Sequence, residues 1–167
     1  MKKEGFSTKK LTTLSLLIAI ALILSYIESR FEPFIPGMKV GLSNISTVFT
    51  LYIMGPAYAI IVSAIRILLM FLLSFSKMSG LIFSVCGAFL ALSSMILLYK
   101  TDRFSVIVVS VIGGVSHNIG QILAACFLTK TIGLSSFLFI LIISGTLAGV
   151  IIGVISGILI TRLKKYI

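Results

Sequence analysis

FEPFIPGMKVGLSNISTVFTLYIM, residues 31–54, decides the fold. Its second half, from Gly41 to Met54, is an apolar run of 14 residues. At 1.5 Å per residue a helix of that length covers roughly 21 Å, short of a bilayer core of about 30 Å. Something else must complete the crossing. Pro36-Gly37 cannot continue a regular helix, so residues 31–40 are expected to fold back from the outer face as an irregular cap. Non-helical backbone at membrane depth is tolerated only where protein buries it or where it lines a cavity. The stretch therefore reads as the lid or wall of a site.

The rest of the chain supplies the membrane that this reading assumes. Of 167 residues 59% are hydrophobic and 11% charged, with no tryptophan, and soluble domains are nearer half apolar. Apolar runs bounded by charge, Pro or Gly fall at 11–27, 41–54, 57–75, 79–99, 104–128 and 134–161. They are continuously apolar and lack the alternation of a barrel strand, so they predict an all-α integral membrane protein of six transmembrane helices. The expected division is a basic N-terminus at 1–10, a helical membrane domain at 11–162 and a basic C-terminus at 163–167, with no separate soluble domain. The first run is longer than a signal-peptide core and no small-x-small cleavage site follows it, so it reads as a retained span.

Basic residues give the orientation. With the N-terminus inside, Lys2, Lys3, Lys9, Lys10, Lys100, Arg103, Arg162, Lys164 and Lys165 are cytoplasmic, and Arg30, Lys39, Lys77 and Lys130 lie in outer loops. Nine against four places both termini in the cytoplasm of a multi-pass cell-membrane protein. The net charge of +10 belongs to these helix ends rather than to an aromatic-interleaved patch, which argues against nucleic acid as a partner.

Small residues recur at helix-packing spacing. Gly145, Gly149, Gly153 and Gly157 leave a bare stripe on the last run where another helix can approach backbone to backbone. Gly80, Ser84 and Ala88 repeat the spacing in the fourth run. So do Ser15 with Ala19 and Ala21 with Ser25 in the first, where the pairs fit either internal packing or a partner subunit.

Polar groups within the runs mark the candidate site. Arg66 lies in the middle of its run and cannot shed its proton, so it must face the protein interior, a water-filled cavity or an anion. It reads either as a brace paired with Glu28 or helix-end carbonyls, or as an anion-binding group. His117, Asn118 and Gln121 occupy little more than one turn, with Gly114, His117 and Gln121 on one face, and need several partners at that depth. Asn44 and Thr47, three apart on the short second helix, are placed to meet them. Cys86 and Cys126 have no metal or redox spacing. The acids Glu4, Glu28, Glu32 and Asp102 form no diphosphate-binding pair, and no Walker A loop, GxSxG or zinc spacing is present. Neither a cofactor, a metal nor an enzymatic activity is expected.

The segments PGMKVGLSNISTVFTLYIMGPAYAIIVSAIRILL (36–69), FSKMSGLIFSVCGAFLALSSM (75–95) and GGVSHNIGQILAA (113–125), with the motifs PGxKxGLxN and HNxGQ, carry a resemblance. The chain resembles the family called heptaprenyl diphosphate synthase component I, or Gx transporter family, over roughly residues 11–160. That family is similar to the substrate-binding (S) components of energy-coupling factor (ECF) transporters. The resemblance implies an S-component-like bundle with an outer loop over the substrate. It also implies a first helix that docks on an ECF module, made of a coupling transmembrane subunit and two ATPase subunits. Ser15, Ala19, Ala21 and Ser25 would be the docking residues, as Ser/Ala and Ala/Ser pairs rather than the family's Ala/Ala. The expected contacts to a small anionic or amphipathic solute are Lys39, Asn44, Arg66, Lys77, His117, Asn118 and Gln121. The alternative from another class is a membrane accessory subunit of a polyprenyl diphosphate synthase.

Overall fold

The computed structural model describes residues 8–30, 41–74 and 78–163. Six α-helices follow one another: α1 (Thr8–Arg30), α2 (Asn44–Ile53), α3 (Pro56–Ser74), α4 (Met78–Lys100), α5 (Val106–Thr129) and α6 (Leu138–Leu163). A 3-10 turn, Ile132–Phe137, joins the last two. All but α2 are long and apolar enough to cross a membrane. Their outward side chains are apolar as well: Phe89, Leu97, Phe127 and Phe139 are each at least two-thirds uncovered by the chain. A surface of that kind faces lipid, and the chain is an all-helical multi-pass membrane protein. The irregular cap expected at 31–40, with Pro36-Gly37 and Lys39, lies outside the described residues, as does Lys77.

The helix too short to span is the one the others enclose. α2 has 10 residues, about 15 Å of helix, and seven of them, from Asn44 through Leu51, are buried. It touches α1, α3, α5 and α6. Its Val48 and Leu51 meet Ala59, Ala91, Met95, Val109, Ala148 and Ile152 in the main core, which draws on five helices. A second cluster joins Leu14, Leu17 and Ala21 of α1 to Phe49 and Val62. α2 ends on Met54, whose N–H donates to Thr50 O at 2.8 Å. Gly55 follows at φ 94°, a conformation glycine adopts without strain, and Pro56 opens α3 where its missing N–H costs nothing.

Successive helices alternate in direction. The ends of α2 and α4 meet where Tyr52 packs edge-on against Tyr99, ring centroids 5.1 Å apart. The start of α1, the turn into α3 and Ile160 of α6 gather in the second cluster. Lys9, Lys10, Lys100, Arg103 and Arg162 therefore share one end of the bundle, and Arg30 and Lys130 sit at the other.

α5 is the inner helix of the second half, and its neighbours approach it closely. A Cβ on Gly120 would lie 2.5 Å from Cys86 O of α4. On the α6 side, a Cβ on Gly114 would lie 2.6 Å from Gly145 O, one on Gly149 2.5 Å from Val111 Cα, and one on Gly153 2.7 Å from Ile107 Cα. Three glycines of the predicted stripe thus form the α5–α6 seam. Gly157 does not: nothing lies within 4 Å of where its Cβ would be. The partner has run out, because Gly153 already meets the second residue of α5 and the next turn of α6 passes beyond its start.

The expectation for α1 divides. Ser15 and Ala19 are exposed, whereas Ala21 is fully buried in the second cluster and Ser25 is 4% exposed. Ala21 and Ser25 thus lie on the face that α1 turns toward α2 and α3, and Ser15 and Ala19 on its outer face.

Candidate functional site

On α3 the buried positions are Ala59, Val62, Ser63, Arg66 and Met70, a stripe at helical spacing. Arg66 thus belongs to the inward face by register alone. It is 5% exposed, and its Nη1 donates to Ser43 Oγ. Ser43 stands at the N-cap of α2 but gives its own helix no side-chain cap; its oxygen serves the guanidinium instead. Two residues earlier, Gly41 takes φ 93°, which points its N–H at Glu28 of α1, whose Oε1 accepts it. Glu28, at 4% exposed, is the acid near the end of the first span.

These groups share one cavity of about 70 Å³, room for roughly five waters at 10–15 Å³ each. Ser25, Glu28, Ser43, Arg66, Ser84 and His117 are its polar lining, and Ile67, Met70, Phe71 and Leu81 form its apolar wall. Each charged group has one atom bonded and another, Arg66 Nε or Glu28 Oε2, buried without a hydrogen-bond partner among the described residues.

α4 and α5 close the far side. His117 fits because Gly87 has no side chain: a Cβ there would come within 2.9 Å of His117 Cε1. One turn on, Gln121 Nε2 lies 3.2 Å from His117 Nε2, and Gln121 itself is 1% exposed. Asn118 turns the other way. Its Nδ2 donates to Leu141 O at 2.7 Å and approaches Ser144 Oγ at 3.4 Å, tying α5 to α6.

Of the sequence-predicted contacts, Arg66 and His117 come together on the cavity wall, with Gln121 directly behind His117. Asn44 is buried beside Gly41, and Asn118 belongs to the α5–α6 seam. Lys39 and Lys77 lie outside the described residues. Sequence reasoning missed Ser25, Ser43 and Ser84 as lining residues and named Glu28 only as a brace for Arg66. In the structure the hydrogen bond of Arg66 goes to Ser43. The readable signal was Glu28 itself, an acid three residues after the small Ser25 on one helical face. Among the described residues no group of three or more His, Cys, Asp or Glu is placed to hold a metal ion.

The family model for heptaprenyl diphosphate synthase component I matches residues 17–159. The chain belongs to that family. None of the curated proteins matches the chain. Among solved structures it is similar to the S component of a bacterial ECF transporter, at 25% identity and a TM-score of 0.72. The likeness covers 95% of this chain and 96% of that one.

Proposed function

We propose that this protein is the membrane-embedded substrate-binding subunit of an ECF-type importer. The observation that carries the reading is a buried arginine opening into a cavity, within a bundle matched end to end by an S component. Burying a charge at bilayer depth costs at least about 2.5–3.5 kcal/mol, and Arg66 keeps a donor in reserve there. The cavity takes a small solute with an anionic group, which Arg66 holds by a charge-assisted hydrogen bond. His117 is the neighbouring polar contact.

The positive-inside rule puts the end bearing Lys9, Lys10, Lys100, Arg103 and Arg162 in the cytoplasm. The cavity lies toward the opposite end, so the solute enters from outside. The exposed face of α1 at Ser15 and Ala19 is the docking surface for the coupling subunit of the module, whose two ATPase subunits supply the energy. The family's name supports a second reading, an accessory subunit of a polyprenyl diphosphate synthase. Co-purification from native membranes separates the two. ATPase subunits and a coupling membrane protein are expected; recovery of a soluble, acid-rich prenyl synthase in their place would establish the accessory role.

A further inference from the structure

The cavity holds two opposite charges that act on each other across space but are not joined by a hydrogen bond or a direct ion pair. Glu28 and Arg66 are both more than nine-tenths buried and line the same space. A structural ion pair would bring their free atoms together. Instead each is anchored to the segment ahead of α2, Glu28 on the Gly41 N–H and Arg66 on Ser43 Oγ. Glu28 Oε2 and Arg66 Nε are left without a hydrogen bond among the described residues. Buried polar atoms are rarely left unpaired, and a buried charge less often still.

We infer that the solute is a zwitterion, its anionic group on Arg66 and its cationic group on Glu28. The inference rests on the substrate-binding reading and narrows it. A simple anion that satisfies Arg66 would bring like charge against the Glu28 carboxylate, and a simple cation would do the same to Arg66. A compact molecule carrying both charges satisfies both orphaned atoms at once, and the apolar wall of Ile67, Met70, Phe71 and Leu81 accepts the carbon between them. The small cavity favours a short separation between the two charges.

The test uses the full chain in lipid nanodiscs and measures thermal stabilisation and affinity for a panel of probes. L-alanine, γ-aminobutyrate and glycine betaine are the zwitterions. Propionate and inorganic phosphate are the anions, propylamine the cation and glycerol the neutral control. Glu28→Gln keeps an acceptor for Gly41 N–H, removes the charge and turns the second oxygen into an amide donor. At least one zwitterion is expected to outrank every other probe. In Glu28→Gln its affinity should fall about tenfold or more, as loss of a charge-assisted hydrogen bond predicts, while propionate binds unchanged or more tightly. If propionate, phosphate or glycerol binds the wild type as well as the zwitterions do, the inference is overturned and the substrate-binding reading stands. Equal zwitterion affinity in Glu28→Gln overturns it too, leaving Glu28 as a brace for Gly41. No stabilisation by any probe would remove both.

Discussion

Arg66 keeps its charge at any pH a cell meets, so its surroundings must answer for it. Ser43 answers in part, and removing that acceptor isolates the effect. Ser43→Ala should destabilise the protein by about 1.5–3 kcal/mol, the range for a buried hydrogen bond to a charged group. Arg66→Met removes the charge and keeps much of the apolar stem. The purified variant is expected to fold and, in native mass spectrometry, to lack a bound small molecule that the wild type is expected to carry. If it keeps the molecule but melts earlier, Arg66 is a brace. Arg66 and His117 were legible in the sequence because polar groups inside an apolar run have few places to go. Ser43 was not. Its partner lies 23 residues away and that of Glu28 13, and both contacts exist only because the start of α2 packs beside the end of α1 and the middle of α3.

At the scale of elements, the seam between α5 and α6 meets main chain at Gly114 and Gly149, with no side chain there to yield. Gly149→Ala would set a methyl group 2.5 Å from Val111 Cα, forcing the helices apart at a cost of about 1–3 kcal/mol, as overpacking does. Gly157→Ala meets nothing and should leave the melting temperature where it was, or raise it slightly through better helix propensity. Equal loss in both variants would show that the stripe works through a partner outside this chain. All six helices could be read from hydrophobic runs, and the four-residue glycine spacing announced a seam. Its extent could not be read, since that depends on where the opposite helix begins. The division of α1 was equally hidden: Ser15/Ala19 and Ala21/Ser25 have one spacing, and only the surrounding helices decide which pair faces inward.

For the whole molecule, orientation is the property on which the function turns. With Cys86 and Cys126 replaced, a cysteine introduced beside Lys130 should react with a membrane-impermeant reagent added to intact cells. One beside Lys100 should react only after the membrane is opened. The reverse pattern would turn the cavity toward the cytoplasm and end the importer reading. Basic-residue bias and an even number of helices were enough to predict this arrangement. The cavity was foreseen only as a consequence of α2 being too short, and its acidic wall came from a helix that the sequence presents as a plain span.

The close approach along α5 also shapes how the protein can change over generations. In an ordinary core a larger residue on one helix can be offset by a smaller one opposite, so paired positions drift together. Here Gly114 faces the carbonyl of Gly145, and Gly149 faces the main chain of Ser110 and Val111. At Gly114 and Gly149 the opposing atoms are main chain, with nothing left to shrink. Mutations at these glycines have no local suppressor, and lineages should hold each of them fixed independently, without covariation across the seam.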